Sequence, residues 1–300
     1  MTSLIEQAAN RLEQLRQAGA DVPAKPAVAA ALVHTSTAVF PTPDAPAPSQ
    51  SRQIVINMDV LVASGIVSPN APRSQIADQF RVIKRPLIKN AMGKGASVLA
   101  HGNLIMITSA MPGEGKTFTA INLAMSIATE LDNTVMLVDA DVARPSVLRM
   151  LGLANGPGLL DLIVDESKDL SSFLLKTNIE KLTILPSGTP HPRATELLAS
   201  DAMAHLLEDM ATRYADRIIV FDSPPLLPTT ESRVLATHMG QIVVVVQAGK
   251  TLKSEVKQAL AAIEACPVKL MLLNQASTIF EGGYGYGYWY GYGGGHDQQA

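Results

Sequence analysis

A glycine-containing loop between a predicted strand and a predicted helix carries the clearest chemistry in this sequence. An apolar run over residues 104–109 leads into Gly113, Gly115, Lys116 and Thr117, after which the chain becomes helical in pattern. The two glycines let backbone amides approach phosphate oxygens, and a helix N-terminus adds partial positive charge. The lysine can reach the β- and γ-phosphates, and the threonine hydroxyl can ligate magnesium. This P-loop pattern predicts a nucleotide site, although Ala110 stands where the first glycine is usual.

Three aspartates follow apolar strand patterns downstream of this loop. Asp139 and Asp141 end one aliphatic run two residues apart, so both side chains leave on the same side if the strand continues. Asp222 ends a second run. A carboxylate at such a position can hold magnesium together with the threonine of the loop. The three acids therefore predict the metal and catalytic side of the nucleotide site.

The elements that must position these residues alternate between strands and helices. Aliphatic runs that are unbroken rather than alternating predict strands at Leu104–Ser109, Thr134–Asp139, Leu182–Pro186, Arg217–Asp222, Ile242–Gln247 and Val268–Leu273. Helical patterns lie at Thr117–Glu130, Arg193–Tyr214 and Leu252–Glu264. The fold class is thus α/β of the P-loop NTPase type, a doubly wound and mostly parallel sheet with helices on both faces. Ligands bind such sheets at the carboxyl ends of the strands.

The composition divides the chain into four parts. Residues 1–20 predict an amphipathic helix, with apolar residues recurring over 3–18, and residues 21–51 form a proline- and alanine-rich linker. Residues 52–278 form the globular domain. Residues 279–300 are rich in glycine and tyrosine, and we expect a disordered tail because such a segment buries too little apolar surface to offset its ordering entropy. Whether the N-terminal helix packs on its own domain or on a partner stays open.

Charge and cysteine content exclude several classes of protein. The net charge is −3 and no run of basic residues occurs, so we expect no nucleic-acid partner. The single cysteine, Cys266, excludes an internal disulfide framework and fits a reducing compartment. No stretch is apolar enough to span a membrane or to serve as a signal peptide. These features predict a cytoplasmic protein whose contact with a membrane depends on a partner.

Taken together, these motifs resemble the bacterial protein-tyrosine kinases of polysaccharide export, known as BY-kinases. Within them the chain is most similar to the cytoplasmic, exosortase-associated tyrosine autokinases. The shared motifs are the segments at residues 108–117, 138–145, 185–188, 195–198 and 221–225, and the tyrosine cluster near the C-terminus. The P-loop occurs in many ATPases, whereas its combination with the tyrosine cluster is far more specific. With residues 78–86 the similarity extends over nearly the whole chain.

The resemblance implies a set of site residues and cofactors. ATP and Mg²⁺ would be bound, with the nucleotide held by Gly113, Glu114, Gly115, Lys116, Thr117, Phe118 and, at adenine, Asn274. Metal would be held by Thr117, Asp139 and Asp222. Catalysis would rest on Lys116, Asp139 and Asp141. The phosphorylated residues would be Tyr284, Tyr286, Tyr288, Tyr290 and Tyr292.

The resemblance also implies partners. Relatives work with a membrane-embedded chain-length regulator that activates the kinase, which would recruit this chain to the inner face of the membrane. A ring-shaped homo-oligomer of the unphosphorylated protein and a cognate phosphatase are expected too. Asp78, Arg81 and Lys84 stand at the positions of a family Glu-x-x-Arg-x-x-Arg motif that contacts the neighbouring subunit. Ala143 stands where many relatives have an arginine, and Arg144 follows it.

The predicted reaction is phosphorylation of the chain's own tyrosines. A tyrosine hydroxyl has a pKa near ~10, so transfer needs positioning, metal neutralisation and a nearby base, supplied by Asp139 or Asp141. The tail tyrosines lie 11 to 19 residues beyond Leu273, a maximal reach of roughly 35–60 Å. That reach allows phosphorylation in trans within an oligomer. Five phosphotyrosines would add on the order of −8 to −10 charges and would favour dissociation.

Two other classes fit parts of the pattern. A switch ATPase of the chromosome-partitioning or division-site type would share the fold, but those proteins carry a second lysine early in the loop. Met111 occupies that position here. A nucleotide-binding scaffold with an adhesive tyrosine- and glycine-rich tail would bind ATP without transferring phosphate. Phosphotyrosine formation separates the kinase from both alternatives.

Overall fold

The computed structural model describes residues 51–69, 74–165, 167–213 and 216–276. The predicted N-terminal helix, the linker up to residue 50 and the tyrosine-rich segment lie outside these residues, so their predicted boundaries stay predictions. Within the described part of the chain, no helix is long and apolar enough to cross a membrane.

The described residues form one eight-stranded sheet. Its strands are β1 (Arg52–Gln53), β2 (Leu104–Ser109), β3 (Thr134–Asp139), β4 (Leu175–Lys176), β5 (Leu182–Leu185), β6 (Arg217–Asp222), β7 (Gln241–Gln247) and β8 (Val268–Asn274). Their order is β1-β4-β5-β3-β6-β2-β7-β8, and only the β4–β5 pair is antiparallel. The mostly parallel, doubly wound sheet of the P-loop NTPase type is confirmed.

Nine α-helices lie among the described residues. They are α1 (Met58–Ala63), α2 (Gln75–Ala91), α3 (Lys116–Ala128), α4 (Val147–Met150), α5 (Leu159–Val164), α6 (Ala194–Leu198), α7 (Asp201–Arg213), α8 (Glu231–Ala236) and α9 (Lys253–Ala262). A 3₁₀ turn also spans Leu170–Ser172.

Two hydrophobic cores cover the two faces of the sheet. Successive side chains of a strand point to opposite faces, and β2 shows this: Leu104 and Met106 belong to one core, Ile105 and Ile107 to the other. Helices α5 to α9 contribute to the first core and α1 to α4 to the second. Burial on both faces explains why the strand sequences are unbroken aliphatic runs.

Three strand predictions, β2, β3 and β6, match the structure residue for residue. The prediction of one continuous helix over residues 193–214 is wrong, because the structure has two helices there, α6 and α7. Ser200 lies at the division, and its hydroxyl accepts a hydrogen bond from the Met203 amide at 3.3 Å, as a helix-capping serine does. The aliphatic run of strand β8 also predicts burial on both faces, but one face is exposed: Met271 is 64% and Leu273 65% exposed.

The order of the strands sets the order of the predicted site residues. The carboxyl ends of β3, β6, β2, β7 and β8 lie side by side at one edge of the sheet. The aspartates that end β3 and β6 therefore lie on one side of the P-loop, which follows β2. The ends of β7 and β8 lie on its other side.

Candidate active site

The P-loop joins β2 directly to helix α3. Gly113 and Gly115 have φ values of 85° and 95°, in the left-handed region where a side chain would be strained. A Cβ atom at Gly115 would also lie 2.1 Å from the Asn274 amide nitrogen. Helix α3 starts at Lys116, so its free amides and its partial positive charge face the loop. This geometry suits a bound phosphate group.

Glu114 links the P-loop by hydrogen bonds to the segment after β7 and to the end of β8. Its side chain is buried, and one carboxylate oxygen accepts a hydrogen bond from the Met111 amide at 2.9 Å. The other oxygen accepts from the hydroxyl of Thr251, between β7 and α9. Its backbone carbonyl accepts from the Asn274 side-chain amide at 3.0 Å. Glu114 is thus a buried carboxylate whose two oxygens both have donors.

Asp139 and Asp222 form a buried pair on the other side of the loop. They are register partners at the ends of the parallel strands β3 and β6. One oxygen of Asp139 accepts hydrogen bonds from the amides of Ser146 and Val147, at 3.1 and 3.0 Å. Its second oxygen and both oxygens of Asp222 are buried and have no hydrogen-bond partner among the described residues. Three carboxylate oxygens therefore lie out of water without a hydrogen bond of normal length in the described part of the chain, although the Thr117 hydroxyl and the Lys116 ammonium lie near enough to lower the pKa of Asp222.

Burial, and to a lesser degree repulsion from neighbouring carboxylates, raises the pKa of both aspartates. Burial raises the pKa of Asp139 to about 7, against the lowering effect of the two amides. Burial, and then the negative charge of Asp139, raise the pKa of Asp222 to about 8. A cation between the two side chains would remove both penalties, since carboxylate oxygens are the ligands that Mg²⁺ prefers.

Asp141 lies beside this pair in a different electrostatic setting. Burial raises the pKa of its carboxyl, while the positive charges of Lys116 and Arg144 lower it. One carboxylate oxygen accepts a hydrogen bond from the Arg144 amide at 3.1 Å. Arg144 itself is exposed, as is Ala143. The nearest charges to Asp141 are therefore mainly positive, whereas the strongest charge effect on Asp222 is the negative charge of Asp139.

The residues present fit Mg²⁺ and a nucleotide phosphate. Three unpartnered carboxylate oxygens call for a cation, and the Thr117 hydroxyl belongs to the P-loop that would hold the phosphates. The loop offers a helix N-terminus, two glycines in the left-handed region and the ammonium of Lys116. All of these groups lie at one edge of the sheet.

A groove for a flat apolar ligand lies on the β8 side of the P-loop. Phe118 and Asn274, both predicted to contact the nucleotide, line this groove together with Leu272, Phe80 and Ile83. Its walls come from α2, the first turn of α3 and the end of β8. The structure thus brings Asn274, predicted to contact adenine, next to Phe118, predicted to contact the nucleotide.

The predicted subunit-contact motif on α2 divides into an exposed and a buried part. Asp78 and Arg81 form an exposed ion pair at 2.5 Å. Lys84 is buried and directs its ammonium to the Ser126 carbonyl at 2.5 Å, the Thr129 hydroxyl at 2.9 Å and the Glu130 carboxylate at 2.7 Å. Lys84 therefore holds the C-terminal end of α3 within its own chain, and only Asp78 and Arg81 are left for an intersubunit role.

The structure groups most of the predicted site residues. Gly113 to Phe118, Asp139, Asp141, Asp222 and Asn274 all lie at the carboxyl edge of the sheet, whereas the five tail tyrosines lie outside the described residues. Sequence reasoning missed Ser146, whose hydroxyl lies 2.8 Å from the Thr117 hydroxyl. It also missed Thr251 as the partner of Glu114. Nothing local in the sequence marks either residue, because both contacts join segments distant in the chain.

Comparison with known proteins gives the family. A family model described as an AAA domain matches residues 102–274. Tyrosine-protein kinase YwqD of Bacillus subtilis is 32% identical over 206 residues, which cover 69% of this chain and 83% of YwqD. Succinoglycan biosynthesis transport protein ExoP of Rhizobium meliloti is 34% identical over 185 residues, 61% of this chain but 22% of ExoP.

A solved structure agrees with these relatives. The kinase domain of the Escherichia coli tyrosine kinase ETK superposes with a TM-score of 0.55 at 26% identity. The match covers 77% of this chain and 97% of that domain. The fold and the site define an α/β nucleotide-binding domain of the AAA-domain family. The chain belongs to the bacterial tyrosine-protein kinases and is an enzyme of that class.

Proposed function

We propose that the protein transfers the γ-phosphate of ATP, with Mg²⁺, to the tyrosines of its own C-terminal segment, Tyr284, Tyr286, Tyr288, Tyr290 and Tyr292. One observation carries the proposal: unpartnered buried carboxylates face a P-loop whose backbone is bonded to the end of the strand that leads into those tyrosines. The family supports the reaction class. The identity of the acceptor rests on this chain's own sequence.

The P-loop residues bind the triphosphate. The backbone amides of Gly113 to Lys116 face the phosphate oxygens, and the ammonium of Lys116 bridges toward the γ-phosphate. Thr117, Asp139 and Asp222 would hold magnesium, and the ion would supply charge neutralisation for the transferring phosphate. The adenine enters the groove lined by Phe118 and Asn274.

Transfer then needs a proton acceptor for the tyrosine. The oxygen of the tyrosine forms a bond to the γ-phosphorus as the bond from that phosphorus to the β–γ bridging oxygen breaks, and ADP leaves. The phenolic proton passes to a carboxylate oxygen of Asp141. Lys116 and Arg144 keep Asp141 more acidic than burial alone would, which favours its ionised, proton-accepting form. Asp139 is engaged by two amides and faces Asp222, which suits it to the metal.

The position of β8 favours the chain's own tyrosines as acceptors. Asn274 donates to the Glu114 carbonyl at 3.0 Å, and the Gln275 side chain donates to the Gly113 carbonyl at 3.4 Å. Tyr284 follows Asn274 by ten residues, a maximal span of roughly 33 Å. The acceptor segment therefore starts at the phosphate loop and has the length to enter the site of a neighbouring subunit.

The decisive experiment is mass spectrometry of phosphotyrosine on purified protein incubated with Mg-ATP, repeated on protein isolated from its native cell. The wild type is compared with Lys116→Met and with a chain truncated after Glu281. Exposed Lys94, outside the site, provides the matched control Lys94→Met. We expect signal on residues 284–292 in the wild type and in Lys94→Met only.

Asp141→Asn in the same assay tests the proposed base. We expect a loss of roughly 100-fold or more in phosphotyrosine formation, in the range of general base catalysis, with ATP binding retained. Full autophosphorylation by this variant would remove Asp141 from that role. Absence of phosphotyrosine in every setting, with ATP still bound or hydrolysed, would favour the switch ATPase or the scaffold.

The same proposal includes a cellular role in exopolysaccharide polymerisation and export. YwqD is named a tyrosine-protein kinase and ExoP a succinoglycan biosynthesis transport protein, which supports a membrane-embedded chain-length regulator as partner, at the inner face of the membrane. The unphosphorylated chain assembles into a ring, with Asp78 and Arg81 at the subunit contact, and a phosphatase resets the tyrosines. A phosphorylated form that stays fully associated in light scattering would contradict this cycle.

A further inference from the structure

Ser146 has an unusual arrangement for a serine at the start of a helix. It precedes α4, where a serine hydroxyl normally accepts a hydrogen bond from an amide of the first turn, yet it makes no such bond. Asp139 takes over that part, since its carboxylate accepts the amides of Ser146 and Val147 at 3.1 and 3.0 Å. The Ser146 hydroxyl caps no helix amide and instead forms a hydrogen bond of 2.8 Å with the Thr117 hydroxyl.

The direction of this hydroxyl pair matters for a cation. A threonine hydroxyl has one proton and two lone pairs. If a lone pair of Thr117 points to the metal, its proton must point away and needs an acceptor. The Ser146 oxygen lies at hydrogen-bond distance, 2.8 Å, whereas the Asp222 carboxylate, whose pKa the Thr117 hydroxyl also lowers, makes no hydrogen bond of normal length among the described residues. Either hydroxyl could donate in the absence of metal, so the metal-binding arrangement selects one of two directions.

Ser146 also acts on the acid pair through its backbone. Its amide and that of Val147 hold one oxygen of Asp139, and the other oxygen of Asp139 is buried without a partner among the described residues. Asp222, the register partner of Asp139, has two such oxygens. One serine therefore touches both sides of the candidate metal site, through its hydroxyl and through its amide.

We propose that Ser146 is a positioning residue for the divalent cation: its hydroxyl oxygen accepts the Thr117 proton and so turns a Thr117 lone pair toward the metal. The proposal rests on the metal site of the proposed function and adds a residue that no motif assigns. Groups that orient metal ligands in this way are typically worth 10–100-fold in metal affinity. Ser146 acts on the cation and not on the nucleotide itself.

The test measures binding and needs no turnover. A fluorescent ADP analogue is held at fixed concentration with purified protein, Mg²⁺ is titrated, and binding is also measured in EDTA. We expect Ser146→Ala to raise the apparent Mg²⁺ dissociation constant roughly 10-fold, with affinity in EDTA within about twofold of wild type. Ser146→Thr, which keeps a hydroxyl, recovers most of the loss. Ser64→Ala is the control, since the exposed Ser64 hydroxyl donates to the Val60 carbonyl at the end of α1, away from the site.

The outcomes separate this inference from the proposed function. An apparent Mg²⁺ constant in Ser146→Ala within twofold of wild type, in protein that melts normally, overturns the role of Ser146 and leaves the metal site intact. An equal loss with and without Mg²⁺ also overturns it, because the serine would then support the loop in general. A wild type that binds the nucleotide without any response to Mg²⁺ overturns the metal site itself.

Discussion

Glu114 and Asp222 are both buried carboxylates next to the same phosphate loop, but on opposite sides of it. Glu114 is 2% exposed and Asp222 0%. The oxygens of Glu114 accept hydrogen bonds from an amide and a hydroxyl, whereas neither oxygen of Asp222 has a partner in the part of the chain that the structure describes. The two acids thus share a location and a degree of burial and differ in whether the protein satisfies them.

That difference distinguishes a carboxylate that stabilises the fold from one that is available to bind a cation. A buried carboxylate with donors on both oxygens fixes a loop, because breaking its bonds would leave polar groups unpaired. A buried carboxylate without hydrogen-bond donors costs folding free energy. Such a carboxylate is expected where a bound cation or ligand supplies the missing interactions. The Glu114 contacts on the β7–β8 side therefore stabilise the P-loop, whereas Asp139 and Asp222 on the β3–β6 side are available for the cation of the proposed function.

Substitution of Asp222 tests the comparison most strongly. Asp222→Asn removes a proposed metal ligand, and we expect phosphotyrosine formation to fall by on the order of 100-fold or more. Asp132→Asn changes an exposed aspartate and serves as the matched control. Retained kinase activity in Asp222→Asn at ordinary Mg²⁺ concentrations would show that the unpartnered carboxylate is not a ligand.

The pH dependence of stability sharpens the same comparison. An aspartate in the unfolded chain ionises near pH ~4, whereas the folded pKa values of Asp139 and Asp222 are about 7 and about 8. The folded state therefore binds more protons across this interval, so stability present at low pH is lost as pH rises toward 8.

Without Mg²⁺ we expect this pair to lower the free energy of unfolding by several kcal/mol, at most about 6 kcal/mol, between pH 5 and pH 8. Urea unfolding at several pH values measures the slope. Asp222→Asn should flatten the profile and stabilise the ligand-free protein at pH 8. A wild-type profile that matches the variant at every pH would contradict the raised pKa values.

Changes at Glu114 should act on stability instead of on the metal. Glu114→Ala leaves the Met111 amide and the Thr251 hydroxyl without their acceptor, and we expect a loss of about 1–3 kcal/mol in unfolding free energy. Glu114→Gln, which keeps one acceptor oxygen, should lose less. The Mg²⁺ concentration that half-saturates nucleotide binding should stay near the wild-type value in both variants. A selective loss of Mg²⁺ affinity in either Glu114 variant would contradict the proposal that Glu114 stabilises the loop while Asp139 and Asp222 bind the metal.

Much of the fold followed from the sequence, for a physical reason. Strands buried on both faces need unbroken aliphatic runs, so β2, β3 and β6 could be bounded to the residue. The two-residue strands β1 and β4 are too short to show any pattern. The division between α6 and α7 depends on Ser200, whose capping bond no apolar periodicity reveals.

The candidate site was predictable where a residue's role depends on its neighbours in the chain. Gly113 to Thr117 and the strand-end aspartates are of this kind. The contacts of Thr251 with Glu114 and of Ser146 with Thr117 span 137 and 29 positions, so only folding reveals them. Lys84 gives the opposite lesson: its place in a surface motif predicted an intersubunit role, whereas tertiary packing buries it against α3.

The most direct test of the metal site is to count the protons released when Mg²⁺ binds. Calorimetric titration of Mg²⁺ into ADP-loaded protein at pH 7, in two buffers of different ionisation enthalpy, gives this number, because metal ligands must lose their protons. With pKa values of about 7 and about 8 for Asp139 and Asp222, we expect roughly one proton released per Mg²⁺ in the wild type and clearly less in Asp222→Asn. Tight Mg²⁺ binding with no proton release, equal in the wild type and Asp222→Asn, would contradict the account.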